Sequence, residues 1–182
     1  MSAVQIRIGG EAGQGVIRAG VILAEAAAED GRYVAQSARY GAAVRGGEAT
    51  ADVVIADGPI DFPHVERPDQ FVALSQPIWK RLAPAQAAGT LVIYDPFFVR
   101  PEDPPAGIRL VRIPATERAI ATFGKATASN LIVLGTLIEL GGAVSRGSLE
   151  HAAAGSVSAK FREDNLRALA MGRELAAAGG PA

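Results

Sequence analysis

An alternating apolar run, Val4, Ile6 and Ile8, leads straight into Gly9-Gly10-Glu11-Ala12-Gly13-Gln14-Gly15, and a long helical pattern begins directly behind it. This strand-turn-helix unit constrains the fold more than any other feature of the chain. A turn of this kind leaves free backbone N–H groups at the positive end of the helix dipole, where a phosphate or another anion can be held. Its glycines permit positive φ and close backbone approach without a Cβ clash. The turn therefore holds a nucleotide, holds a different ligand, or serves the fold alone.

Further along, short β-rich runs alternate with helical stretches, which predicts an α/β fold with a mostly parallel, Rossmann-like sheet between helical layers. Strands are expected at about Val4 to Ile8, Tyr33 to Gln36, Ala51 to Ile55, Phe71 to Leu74, Thr90 to Tyr94 and Ile108 to Ile113. The run Leu91, Val92, Ile93 reads as a strand buried on both faces. A first helix, Gln14 to Glu29, has Ile17, Val21, Ala24 and Ala28 at the spacing of an inner stripe, and Asp30-Gly31 ends it. A second helix starts near Ser75 and Pro77, with Gly89 marking its end. The proline-rich connection Asp95 to Pro105 crosses the surface. Beyond it the chain turns helical, at about Thr116 to Phe123, Ser129 to Leu140, Ser148 to Ala154 and Ala159 to Ala178. With 182 residues, 49% of them hydrophobic, residues 1–182 read as a single domain with a substantial core.

Composition removes several function classes. A net charge of -1 gives no electrostatic basis for binding nucleic acid or an anionic membrane. The absence of cysteine excludes disulfides and thiolate ligands for an iron-sulfur cluster or a Cys-type zinc site. His64 and His151 lie far apart, without metal-type spacing and without an acid or nucleophile at a suggestive distance. No metal site and no catalytic residue is expected. No run approaches a transmembrane span, and the N-terminus lacks a signal-type segment, so the chain reads as cytoplasmic.

The opening turn can be tested against the dinucleotide fingerprint. Gly10, Ala12 and Gly15 fall on the three positions of GxGxxG, so alanine stands where the cofactor must come closest. The acid expected at the end of the second strand is also missing, since Gln36 and Ser37 stand there. A second constellation, Gln36-Ser37-Ala38-Arg39-Tyr40-Gly41 with Arg45-Gly46-Gly47-Glu48, follows a strand and so belongs on the same carboxyl edge of the sheet. Arginines among glycines suit a phosphate or a partner's carboxylate. A solvated loop with surface arginines fits the same composition.

Other residues carry weaker signals. Lys125 stands before a helix whose N-cap is expected at Thr127 or Ser129. Asp57 and Asp61 read as turn residues, and Asp95 as a turn cap near the ligand edge. Ile78, Trp79, Phe97 and Phe98 are candidates for apolar surface that meets a partner, although Trp79 fits helix-on-sheet packing better.

Taken together, VQIRIGGEAGQGVIRAGVILAEAA, DGRYVAQSARYGAAVRGGEATADVVIADGPIDFP, PDQFVAL and ATASNLIVLGTLIELGGAVSRGSLEHA resemble the gamma subunit, or gamma domain, of the 2-oxoacid:ferredoxin oxidoreductases. The resemblance runs from about Val4 to Leu175 and includes an Asn on a helix, here Asn130. The family pattern at the turn is GGxGGQG, so Ala12 replaces a glycine. In the second loop the pattern resembles SYGxxxRGG, so Arg39 takes the place of the serine.

The resemblance implies a noncatalytic component of an enzyme that converts a 2-oxoacid and coenzyme A to acyl-CoA and CO2 while reducing a ferredoxin-type carrier. Its partners would be alpha and beta subunits, with a delta subunit in some assemblies. The complex would use thiamine diphosphate, Mg2+, iron-sulfur clusters and coenzyme A, with none bound by this chain alone. It further implies that Gly10, Gly13, Gln14, Gly15, Tyr40, Arg45 and Gly46 face the coenzyme A side of the cavity or a subunit interface. An independent dinucleotide-binding reductase and a ligand-free scaffold subunit are the alternatives.

Overall fold

The computed structural model describes residues 3–41 and 47–178. Six strands, β1 (Ala3–Glu11), β2 (Tyr33–Tyr40), β3 (Glu48–Ala56), β4 (Gln70–Ala73), β5 (Leu91–Tyr94) and β6 (Arg109–Arg112), form one sheet in the order β2-β3-β1-β4-β5-β6. The described helices are α1 (Val16–Glu29), α2 (Gln76–Leu82), α3 (Ala115–Phe123), α4 (Ser129–Gly141), α5 (Arg146–Gly155) and α6 (Arg162–Ala178).

The expected α/β fold is present, with a mixed sheet. The β1–β4, β4–β5 and β5–β6 pairs are parallel, while β3 runs antiparallel to both β1 and β2. The correction concerns the segment between β2 and β3. Residues 37–40, read as irregular from their polarity, continue β2 and pair with Asp52 to Ala49. β2 and β3 pair as antiparallel neighbours, so β2 stays parallel to β1 but is separated from it by β3. In a dinucleotide-binding sheet the first two strands are neighbours. Here the antiparallel β3 occupies that place beside the glycine turn.

Two apolar clusters flank the sheet. On one face, Ile6, Ile8, Val53, Ile55, Val72 and Ile93 pack with α1, α3, α4, α5 and α6. On the other, Phe71, Ala73, Val92 and Tyr94 pack with Ile78 and Trp79 of α2. Both clusters meet at β5, which is buried along its whole length, as its apolar run predicts. Trp79 is core, and so is Ile78, whose methyls lie against Gly9. Ile78 is therefore not a surface anchor.

The inner stripe of α1 differs from expectation. Val16, Ala19, Gly20, Leu23 and Ala27 face the sheet, whereas Val21 is 39% exposed and Ala28 is exposed. Arg18, Glu25 and Glu29 fall on the outward side with Val21 and Ala28, but the apolar residues on the remaining sides leave adjacent stripes open. Close approach makes the choice: a Cβ on Gly20 would lie 2.6 Å from the Cβ of Ala51 in β3, so only this rotation seats the helix at that distance.

Caps fix the remaining helices. Ser75 Oγ accepts from Ile78 N at 3.5 Å and starts α2, which ends at Leu82 and passes into a 3-10 turn at Ala83–Ala85, well before Gly89. The cap of α5 is Ser145, which accepts from Ser148 N, so that helix begins earlier than expected. The 3-10 turn Ala126–Ala128 leads directly into α4, leaving Ala128 at the cap position without a side-chain bond in place of Thr127 or Ser129.

Candidate functional site

The glycine turn lies at the carboxyl end of β1, beside the carboxyl end of β4 and the β2–β3 pair. Three tethers hold it there. Leu74 N donates to Gly9 O (2.8 Å), Gln14 Nε2 donates to Leu74 O (2.7 Å), and Ala12 N donates to Gly47 O (2.8 Å). The amide oxygen of Gln14 meanwhile accepts from Glu11 N (2.6 Å). Gln14 thus spends both ends of its amide inside the protein, closing the turn and joining β1 to β4. Gly10 lies beneath it, where a Cβ would collide with the Gln14 amide oxygen and with Val16 Cγ2.

Two glycines of the turn answer a backbone demand. Gly13 (φ 98°) and Gly15 (φ 73°) are left-handed, a conformation that costs an L-residue free energy. Ala12 is absent from the residues with positive φ, its side is exposed, and its methyl strains nothing. Gly15 is the N-cap of α1, with no side-chain cap bond. The N–H groups of the first helical turn, at Val16, Ile17 and Arg18, have no intrahelical partner by helix geometry. They border an open cavity of about 300 Å³ lined by Glu11, Ala12, Gly13, Gly15, Arg18 and Tyr40.

Asn130, on the first turn of α4 and 4% exposed, clasps this end of α1 from the opposite side. Its Nδ2 donates to Gly15 O at 3.2 Å. The helix that supplies Asn130 is buried nearly throughout its first ten residues, so the clasp is rigidly mounted.

Tyr40, 71% exposed, closes β2 at the rim of the same cavity. Of the expected site residues, Gly10, Gly13, Gln14, Gly15 and Tyr40 therefore converge at one edge of the sheet. Gly10 and Gln14 act inside the turn, whereas Gly13, Tyr40 and the helix N–H groups face outward. Arg45 and Gly46 lie outside the described residues.

Other residues sort clearly. Asp95 is a turn cap, buried, accepting from Phe97 N at 3.0 Å and from Thr116 N at 2.8 Å. His64 stacks edge-on to Phe62, and the exposed His151 pairs with Glu29. Phe97 and Phe98 are 56% and 40% exposed and meet edge to face. Lys125 stands 5.3 Å from the centroid of the Phe161 ring.

Sequence reasoning missed a buried ion pair beside the site. Arg7, in the middle of β1, donates through Nε and Nη2 to the Asp52 carboxylate, both at 2.7 Å, and through Nη2 to Val65 O. The signal was present: an arginine between Ile6 and Ile8 points to the face opposite those isoleucines, and a charge there needs a partner. Among the described residues no group of three or more His, Asp or Glu side chains is placed to hold a metal, and no helix is long and apolar enough to cross a membrane.

With this geometry in place, comparison with known proteins decides the family. The family model of pyruvate ferredoxin/flavodoxin oxidoreductase matches residues 5–175. The chain belongs to this family. It is 39% identical to the 2-oxoglutarate synthase subunit KorC of Methanothermobacter marburgensis, over 94% of this chain and 95% of that one. Its structure is similar to the gamma subunit of a keto/oxoacid ferredoxin oxidoreductase from Geobacter sulfurreducens (TM-score 0.87, 32% identity, 98% of each chain). It also superimposes on part of the 2-oxoglutarate:ferredoxin oxidoreductase of Magnetococcus marinus, solved with 2-oxoglutarate, coenzyme A and succinyl-CoA bound (TM-score 0.90, 26% identity, all of this chain and 32% of that one). This pyruvate ferredoxin/flavodoxin oxidoreductase family member is accordingly the gamma subunit of a 2-oxoacid ferredoxin oxidoreductase complex, with other subunits as its partners.

Proposed function

We propose that the chain, acting as one gamma-type domain, is the noncatalytic gamma subunit of a thiamine-diphosphate-dependent, cytoplasmic 2-oxoglutarate:ferredoxin oxidoreductase, and that its glycine-turn edge forms part of the coenzyme A cavity. The observation that carries the reading is near full-length similarity to a curated 2-oxoglutarate synthase subunit. In the reaction, 2-oxoglutarate and coenzyme A give succinyl-CoA and CO2, and two electrons pass to the carrier. The alpha and beta subunits, with a delta subunit where present, would hold thiamine diphosphate, Mg2+ and the clusters. A chain without cysteine fits that division of labour, because it offers no thiolate for a cluster.

The site chemistry supports a contribution to coenzyme A binding. Coenzyme A carries phosphates, and the uncapped N-terminus of a 14-residue helix beside a left-handed glycine presents N–H donors to an anion. Tyr40 adds an exposed ring at the rim. Within this reading Gly13, Gly15, Tyr40, Arg45 and Gly46 contribute to the cavity wall, while Gly10 and Gln14 shape it from beneath.

The test is reconstitution. The chain co-expressed with its alpha and beta subunits should yield a complex that reduces ferredoxin with 2-oxoglutarate and coenzyme A, and more slowly with pyruvate. Isolation from its own cells as a free monomer, with no thiamine-diphosphate protein attached, overturns the assignment. Arg45→Ala should raise KM for coenzyme A several-fold at unchanged KM for the 2-oxoacid. An unchanged KM for coenzyme A supports the ligand-free scaffold.

A further inference from the structure

The described helices are shared unequally between the two faces of the sheet. Five pack against the face of Ile6 and Val53, whereas α2 lies on the other and packs on β1 and β4. The β2–β3 half of that second face carries Ser37, Arg39, Thr50 and Asp52 in cross-strand register. Thr50 and Asp52 are buried there, whereas Arg39 is exposed.

Between α2 and the β2–β3 pair lies an open cavity of about 200 Å³, lined by Arg7, Arg39, Arg81, Thr50, Tyr40 and Glu48 among others. Three arginines from three elements line it. Arg7 is turned to Asp52, and Arg81 pairs with Glu48 at 2.5 Å. Arg39 is exposed and has no acidic partner among the described residues. Lys80 on α2 and Arg100 border the exposed rings of Phe97 and Phe98, with Glu102 in the same hollow. Two hydrogen bonds between Gln76 and Arg100 hold that segment against the helix.

We propose that this face, centred on α2, docks another subunit of the oxidoreductase, and that the partner presents an acidic segment with one carboxylate seated beside Arg39. The inference rests on subunit membership and is independent of the coenzyme A reading. Arginine and aromatic side chains are the residues on which interfaces concentrate their energy, and a guanidinium takes a carboxylate through two parallel bonds. A second copy of this chain is a poor occupant. A two-fold contact would gather Arg39, Lys80 and Arg100 of both copies in one seam, against Glu102 as the one lining acid without an ion pair among the described residues.

The test uses the assembled complex. Arg39→Glu and Lys80→Glu change exposed side chains for which no hydrogen bond is described, so the double variant should keep the circular dichroism and melting curve of the parent. Its affinity for the remaining subunits, measured by biolayer interferometry, should fall at least about tenfold at low ionic strength. The deficit should shrink as salt is raised. In the unmodified complex, zero-length carbodiimide coupling should join Lys80 to an Asp or Glu of another subunit, identified by mass spectrometry. Unchanged affinity overturns the proposal, as does coupling confined to other lysines. Two further results also overturn it: a dimer of the isolated chain that the variant dissolves, or stabilisation of the parent alone by inorganic phosphate with assembly untouched.

Discussion

Replacing Gly15 by alanine tests the claim that the turn and Asn130 form one mechanical unit. Two costs combine at this position. An alanine held at φ near 73° loses about 1–2 kcal/mol relative to a relaxed residue. Its Cβ would also lie 2.5 Å from Asn130 Nδ2. Asn130 is short and buried, so its amide must leave the Gly15 carbonyl. That movement leaves a buried N–H without its partner, at about 1–2 kcal/mol. Gly15 O keeps its bond from Ala19 N (2.9 Å), so the carbonyl itself adds no penalty. The sum is about 2–4 kcal/mol, or roughly 5–15 °C in Tm for a chain of this length. With Asn130→Ala already in place, nothing obstructs the new methyl, and Gly15→Ala should then cost only about 1–2 kcal/mol. Urea unfolding of the four proteins in this double-mutant cycle should therefore return a coupling of about 1–2 kcal/mol. Strictly additive costs refute the clasp, and a Gly15→Ala cost below about 0.5 kcal/mol refutes the strained cap as well.

Two other perturbations probe the scaffold. Arg7→Met strands the Asp52 carboxylate, which is 2% exposed, and should cost about 3–5 kcal/mol, while Arg7→Met with Asp52→Leu should recover most of it; denaturant midpoints check both. Asp30 links α1 to the start of α5. Burial raises its pKa, but hydrogen bonds from Ser148 and Ser145, aided by Arg32, outweigh burial and lower it below the ordinary value of 3.8. A carboxyl whose folded pKa is depressed adds stability that is complete above its unfolded pKa and fades as pH falls through the folded one. Asp30→Asn should therefore melt lower than the parent at neutral pH, with the gap closing below about pH 4; a gap independent of pH contradicts this role.

Legibility followed the range of the forces involved. The turn, the Asp95 cap, the ends set by Gly31 and the doubly buried β5 were readable because each depends on φ, on a local hydrogen bond or on an unbroken apolar run. The α1 stripe was only partly legible, because Arg18, Glu25 and Glu29 mark the outward side while the contact between Gly20 and Ala51 sets the exact rotation. Residues 37–40 looked like loop because polar, largely exposed residues were taken for irregular backbone. They lie in a strand whose polar side chains share a sheet face with Asp52 and Arg7.

By itself, the sequence determined a strand-turn-helix unit with left-handed glycines, an α/β alternation, a chain without cluster ligands and a resemblance to gamma subunits. These follow from local backbone energetics and composition. Only the tertiary structure decided what each residue of the turn does. Gln14 and Gly10 proved internal because Leu74, directly after β4 and sixty residues away in sequence, supplies the carbonyl that binds the amide. Gly15 is pinned by Asn130, 115 residues away. The β2–β3 pair that brings Tyr40 to the same edge depends on β3 pairing backward against β1. Such contacts arise from burial and register between distant segments, and no local pattern encodes them.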